Sequence, residues 1–134
     1  MAADLVARVR AVLLRLIARL VDSGAEPLSA PADAILPTAL GADGPLVAMA
    51  IESSAGEYRV GDQIWLREVR PETYARLFNR DVLAPRPGGR FAFGRLIDSD
   101  GARVALLPPG PGQRQVVIES PAWLAVAEML VRKL

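Results

Sequence analysis

The fold of this chain is decided by the stretch Arg90-Phe91-Ala92-Phe93-Gly94-Arg95-Leu96-Ile97, followed by Asp98-Ser99-Asp100-Gly101 and Ala102-Arg103-Val104-Ala105-Leu106-Leu107. Two apolar, β-prone runs flank four residues that suit a reversal of the chain. Asp98, Asp100 and Gly101 resemble part of a calcium loop, but the rest of that ligand pattern is missing. We therefore expect two neighbouring strands joined by a turn.

The same alternation of apolar runs and turn residues extends outward from this stretch. Pro and Gly separate the runs at Gly61-Asp62, Pro87-Gly88-Gly89 and Pro108-Pro109-Gly110. A short helical insert is expected over residues 71–78. The pattern indicates a mostly β domain, a small curled antiparallel sheet or barrel. Its predicted strands cover residues 46–51, 63–69, 81–86, 90–97, 102–107 and 114–118.

The spacing of apolar residues is different near the amino terminus. Apolar residues recur there at spacings of three and four, typical of an amphipathic helix, and they are Leu5, Val9, Val12, Leu13, Leu16, Ile17 and Leu20. We predict an N-terminal amphipathic α-helix over residues 1–23 and a proline-rich tether over residues 24–44, before the β domain of residues 45–134. The helix could pack on its own domain, dock on a partner, self-associate or lie on a membrane surface. Arg15 and Arg19 interrupt the apolar run, which argues against a signal peptide or a membrane span.

The carboxyl-terminal residues 121–134 fit two structures equally well. Ser120 before Pro121 is a good helix start, and Trp123, Ala127 and Leu130 could share a helical face. The same residues could instead close the sheet as a last strand. The residues alone leave this choice open.

The amino-acid composition limits the reactions that the chain could catalyse. The chain of 134 residues has no histidine, no cysteine and one lysine, Lys133, so the usual bases, nucleophiles and metal ligands are scarce. We expect no cofactor and no metal. A net charge of +1 provides no long-range field for nucleic acid, and the lack of cysteine fits a reducing, cytoplasmic setting.

The order of the elements resembles the LexA and signal-peptidase-like superfamily. The resemblance rests on residues 44–54, on residues 58–66 with their Gly61-Asp62 pair, and on Asp81-Val82-Leu83-Ala84. It continues through residues 90–97, similar to a strand carrying a Lys-Arg-Leu element, and through the hairpin arm of residues 102–108. It covers about ninety residues, from Pro45 to Leu134. It implies a last strand that re-enters the sheet, so we expect a strand over residues 123–132.

The resemblance also implies where a catalytic pair would lie. Peptidases of this superfamily use a serine activated by a neutral lysine or, in some branches, a histidine. Ser53, eight positions before Gly61, takes the place of the nucleophile, while Ile51 and Ser54 stand where the box has Gly and Met. Gly94, before Arg95, takes the place of the base and has no side chain to accept a proton. The family positions to follow are Ile51, Ser53, Ser54, Gly61, Asp62, Gly94 and Arg95.

Our expectation is a non-catalytic protein-interaction or regulatory module on a peptidase-like β fold, binding a protein partner or an extended peptide. The alternative is a residual or self-cleaving serine peptidase with Ser53 as nucleophile. A DNA-linked repressor is a weaker third class, since residues 1–44 lack the helices of a helix-turn-helix head. Residues 1–23 could also mediate homo-oligomer formation. The candidate partner-binding residues are Arg8, Arg15, Arg19, Arg67 and Arg70.

Overall fold

The structure, a computed structural model, describes residues 13–35 and 45–134. The described chain is mostly β: nine strands form one curled sheet, and a short 3-10 helix, Pro71–Leu77, joins two of them. No helix in these two ranges is long and apolar enough to cross a membrane. The strands are β1 (Leu13–Val21), β2 (Gly24–Ile35), β3 (Leu46–Ile51), β4 (Gln63–Val69), β5 (Asp81–Arg86), β6 (Arg90–Asp100), β7 (Arg103–Leu107), β8 (Val116–Glu119) and β9 (Leu124–Val131).

The order of strands across the sheet is β2-β1-β3-β4-β9-β5-β6-β7-β8. Neighbouring strands are antiparallel except for β1 and β3, which run parallel. β9, the last of these strands along the chain, inserts between β4 and β5. The sheet curls so that β2 approaches β6. A half-barrel results, in which distant parts of the chain meet.

The secondary structure predicted between residues 45 and 134 is confirmed. All six predicted strands are present, β6 is longer than expected, and the insert at residues 71–78 forms the 3-10 helix. The last strand is β9, so the strand alternative for the carboxyl terminus is right. The stretch around Asp98-Ser99-Asp100-Gly101 forms the predicted hairpin, with Asp100 paired to Arg103.

The prediction of an N-terminal helix is wrong for the part of it that the structure describes. Residues Leu13–Val21 form β1, and residues 1–12 lie outside the described residues. Ala18 and Leu20 point into the core, and a register shift between Leu16 and Ala18 absorbs one residue. That irregularity gives the strand an apolar spacing that imitates a helix. Asp22-Ser23, predicted to end a helix, instead connects β1 to β2.

The predicted tether differs in the same way. Gly24–Ile35 forms β2, while residues 36–44 lie outside the described residues. Pro27 and Pro31 lie within this strand, although proline has no backbone donor. β2 is the edge strand of the sheet, where a missing backbone donor is tolerated. The β1–β2 hairpin therefore belongs to the same sheet as residues 45–134.

Two apolar clusters fill the two faces of the sheet. One lies under the 3-10 helix and includes Leu77, Val82 and Leu124, and the other lies under β1 and includes Leu20, Leu83 and Ala125. β5 and β9 contribute alternate residues to both clusters, since successive side chains of a strand point to opposite faces. Neither cluster is independent of the other.

Each cluster contains one buried tyrosine, and the two hydroxyls differ. Tyr58 packs edge-on against Phe93, with ring centroids 5.5 Å apart, and donates its hydroxyl proton to the Asp81 carboxylate. Burial and this carboxylate raise the pKa of Tyr58 above its usual value. The buried hydroxyl of Tyr74 has no hydrogen-bond partner among the described residues. One hydroxyl is stabilising and the other carries an uncompensated desolvation cost.

We expect opposite results from removing these two hydroxyls. Tyr58→Phe should lower the free energy of unfolding by about 1.5–3 kcal/mol, the usual range for a hydrogen bond to a charged group. Tyr74→Phe should leave stability unchanged or raise it by about 1 kcal/mol or less, because an unpaired buried hydroxyl is removed. Urea unfolding followed by tryptophan fluorescence measures both. An equal loss in the two variants would contradict the distinction.

Candidate functional site

The candidate site is the segment between β3 and β4, residues 52–62, which carries Ser53. The backbone amides of Glu52 and Ser53 both donate to the carbonyl oxygen of Leu20, at 2.8 Å and 3.0 Å. Two adjacent amides on one carbonyl oxygen are the donor arrangement that stabilises a developing oxyanion in acyl transfer. Here they hold a peptide carbonyl of the chain itself.

Side-chain packing keeps Leu20 in this position. The Leu20 side chain is only 3% exposed and lies in the cluster with Met49 and Ile51. In the parallel pairing of β1 with β3, Leu20 is opposite Ile51, at the point where β3 ends. β1 thus lies along β3 like an added strand, with backbone pairing and buried side chains acting together.

Ser53 is half-buried, and its hydroxyl makes no hydrogen bond to any described residue. The neighbouring carboxylate of Glu52 pairs with Arg19 at 3.2 Å and is turned to that partner. Lys133 is exposed beyond the end of β9. Ser54, the next hydroxyl, accepts a hydrogen bond from the Val60 amide at 3.3 Å. A general base must lie within hydrogen-bond reach of the hydroxyl that it activates, and none of these groups does.

Gly94 occupies the position that the resemblance assigns to the base. It lies in β6, and a Cβ atom built there would be 2.4 Å from the carbonyl oxygen of Leu107 and 2.8 Å from the nitrogen of Pro108. Both are backbone atoms, which cannot move aside as a flexible side chain would. Close approach of β6 to the end of β7 therefore requires glycine at this position.

Asp62 organises the segment that presents Ser53. Its buried carboxylate receives two hydrogen bonds from Arg132, each of 2.8 Å, and one from the Arg59 amide of 2.9 Å. The carbonyl oxygen of Asp62 accepts from the Ile51 amide, and the Gly61 amide donates back to the Ile51 carbonyl. Gly61 has a φ of +95°, which favours glycine.

These contacts also shift the pKa values of the two paired side chains. Hydrogen bonding to Arg132, supported by the Arg59 amide, lowers the pKa of Asp62 from 3.8 to about 2, although burial opposes the shift. The same pairing raises the pKa of Arg132. Asp62 could be selected from the sequence, but its partner Arg132 could not, because no sequence motif relates two residues that are 70 positions apart.

A groove of about 830 Å³ lies beside the candidate site. Its walls come from the β1–β2 turn, from β6 and from the loop that contains Pro109. Ser54 and Gly56 line it, whereas Ser53 does not. Gly56 packs on this loop, since a Cβ atom there would be 3.2 Å from Cβ of Pro109. The groove is open to a ligand, but the predicted nucleophile is not one of its lining residues.

The structure places the remaining predicted site residues apart from Ser53. Ile51 is a core residue of β3, and Arg95 lies exposed on β6, opposite Asp81. The two ranges described contain no group of three His, Cys, Asp or Glu side chains that could hold a metal ion.

The predicted partner-binding arginines fall into different environments. Arg8 lies outside the described residues, and Arg15 belongs to β1. Arg19 pairs with Glu26 and Glu52, and Arg67 pairs with Glu128 at 3.0 Å. Arg70 is exposed and lines a second groove together with Arg67. Arg19, on β1, does not line the groove that Arg67 and Arg70 share.

Comparison with known proteins finds no protein-family model and no curated protein that matches the chain.

We expect Gly94 to resist substitution by even the smallest side chain. Gly94→Ala should lower the free energy of unfolding by about 2–3 kcal/mol, because the added methyl group overlaps the backbone at Leu107 and Pro108. Ser99→Ala, on the same strand, is the matched control and should change stability by about 0.5 kcal/mol or less. Chemical denaturation of the purified variants measures both. A Gly94→Ala protein as stable as the control would show that the strands can separate.

We expect the Asp62 carboxylate to stabilise the fold above about pH 4 and to lose this effect as the pH falls towards 2. The sign follows from the pKa, which is lower in the folded chain than the ordinary 3.8, so the unfolded chain binds the proton first. The stability difference between wild type and Asp62→Asn should therefore shrink over this interval.

Denaturation midpoints between pH 2 and pH 7 test this expectation. Asp98→Asn, at an exposed carboxylate, is the matched control for removing one negative charge. A difference between wild type and Asp62→Asn that stays constant from pH 7 to pH 2 would mean that ionisation of Asp62 does not contribute.

Proposed function

We propose that this chain is a non-catalytic binding module on a peptidase-like β fold, which holds an extended peptide segment without cutting it. The observation that supports this function most directly is the Leu20 carbonyl, held by the amides of Glu52 and Ser53. In the described chain the segment that fills this place is β1. A regulatory partner would act by presenting a similar segment or by displacing β1.

The chemistry of the site supports holding rather than cleavage. Attack by Ser53 on the Leu20 carbonyl carbon needs a group that removes the hydroxyl proton and later delivers a proton to the Val21 nitrogen. Gly94 supplies no such group, and the neighbouring Glu52 is engaged by Arg19. Oriented amides without a base bind a carbonyl and leave the peptide bond intact.

A residual or self-cleaving serine peptidase is the second candidate function. It is favoured by the same two amides, which place the Leu20–Val21 bond beside Ser53. This candidate requires a base from solvent or from outside the described residues. It makes a distinct prediction, namely a break after Leu20.

The experiment uses a full-length Leu20→Asp variant, in which a buried charge should loosen β1 from β3. A labelled synthetic peptide with the sequence of residues 13–24 is then added. We expect the peptide to bind the Leu20→Asp variant and to show little binding to wild type, where β1 occupies the place. Ser29→Asp, at an exposed position of β2, is the matched control and should behave like wild type. Fluorescence anisotropy measures binding, and the emission of the buried Trp65 reports that the variants are folded.

Mass spectrometry of the chain and the peptide after incubation from neutral to alkaline pH separates the two functions. Both molecules should remain intact if the module only binds. A fragment ending at Leu20, absent from a Ser53→Ala variant and present in Ser54→Ala, would establish the peptidase instead. Failure of the peptide to bind a folded Leu20→Asp variant would remove the support for peptide holding.

A further inference from the structure

A second groove, of about 900 Å³, lies beside the 3-10 helix and shares no lining residue with the groove near Ser53. Four arginines line it, namely Arg67, Arg70, Arg76 and Arg80, together with one acidic residue, Glu68. We refer to it as the arginine cleft. Its basic lining contrasts with a whole-chain charge of only +1.

Two of these arginines are available to a ligand. Arg67 is engaged by Glu128, and Arg80 donates to the Ala127 carbonyl oxygen at 3.1 Å. Arg70 and Arg76 are exposed, and within residues 13–35 and 45–134 neither forms an ion pair with a carboxylate. Arg80 likewise has no carboxylate partner in these ranges. Positive charge is therefore concentrated at this concave surface, and few carboxylates of the described residues neutralise it.

The cleft also has an apolar part. Leu77, Val69 and Trp123 line it, and Trp123 is half-buried with its ring edge-on to Phe91 at 5.9 Å. Guanidinium groups bind carboxylates in a planar, two-bonded geometry, while the half-buried indole provides contact area for an apolar side chain. A ligand that satisfies both parts carries carboxylates on either side of an apolar residue.

We infer that the arginine cleft binds an acidic peptide segment in which an apolar side chain is flanked by glutamate or aspartate. The carboxylates pair with Arg70 and Arg76, and the apolar residue packs on Trp123. Peptide is favoured over nucleic acid because a few guanidinium groups beside an apolar side chain suit separate carboxylates around an apolar residue, whereas a phosphate backbone needs an extended track of cations. This binding is separate from the holding of β1, so either can fail without the other.

The test is a titration of the full chain with a fluorescein-labelled peptide in which two glutamates precede and two follow a leucine. We expect saturable binding that weakens as salt is raised to ~1 M, where charges are screened within ~3 Å. The double variant Arg70→Ala/Arg76→Ala should bind about tenfold more weakly or worse, since charge pairs at the contact are lost. Arg103→Ala, at an exposed arginine outside the cleft, is the matched control and should bind like wild type.

Tryptophan fluorescence adds a local readout. Trp65 is buried, so a change in emission on peptide addition should come from Trp123 and should disappear in Trp123→Phe. The peptide with glutamine in place of each glutamate is the ligand control and should not bind.

Two further arms distinguish the ligand classes. A short oligothymidylate that binds more tightly than the glutamate peptide, and loses affinity in the double variant, would overturn the inference in favour of nucleic acid. Peptide binding that the double variant does not weaken, or no binding of the glutamate peptide to wild type, would overturn it as well.

Discussion

The ion pair between Asp62 and Arg132 is the interaction on which the candidate site depends. It joins the segment that follows β3 to the end of β9, across the centre of the sheet. The carboxylate also receives the Arg59 amide, and the backbone of the same residue bonds to Ile51. Residues 52–62 are thereby closed at both ends, and the amides of Glu52 and Ser53 are turned towards β1. Removing Arg132 would leave the buried Asp62 carboxylate without its charged partner, so the shape of the segment and the stability of the sheet are linked.

Under the function proposed here, an arrangement for catalysis and an arrangement for binding differ by one position. Amide donors towards a carbonyl oxygen and a nearby hydroxyl are two of the three parts that acyl transfer needs. The third part is a proton acceptor, and at Gly94, the position that the resemblance assigns to it, the backbone of Leu107 and Pro108 leaves no room for a side chain. The obstacle is steric as well as chemical, because any side chain there must displace a strand. The substitution that would supply a base therefore conflicts with the packing of β6 on β7.

Much of the fold could be predicted from the sequence because its signals there are local. Turn residues such as Gly88 and Gly101 and the apolar runs beside them specify strands whatever their partners are. The β1–β2 hairpin could not be predicted in this way, since Leu16, Ile17 and Leu20 fit a helical period as well as an irregular strand, and the choice is made by β3. Pro27 and Pro31 argue against a strand unless it lies at an edge, and whether a strand lies at an edge is a property of the whole sheet. The resemblance drew attention to Ser53 and Gly94, whereas the contacts of Arg132 and of the Leu20 carbonyl are long-range and come from the structure alone.

The position of β9 in the middle of the sheet has a consequence for biosynthesis. During translation β4 and β5 leave the ribosome well before β9, and each then exposes an edge that β9 will later cover. Both apolar clusters need residues of β9, so neither can close on the nascent chain before this strand has emerged. Until β9 has paired, the edges of β4 and β5 are therefore open to pairing with other chains, a hazard of the kind that chaperones suppress.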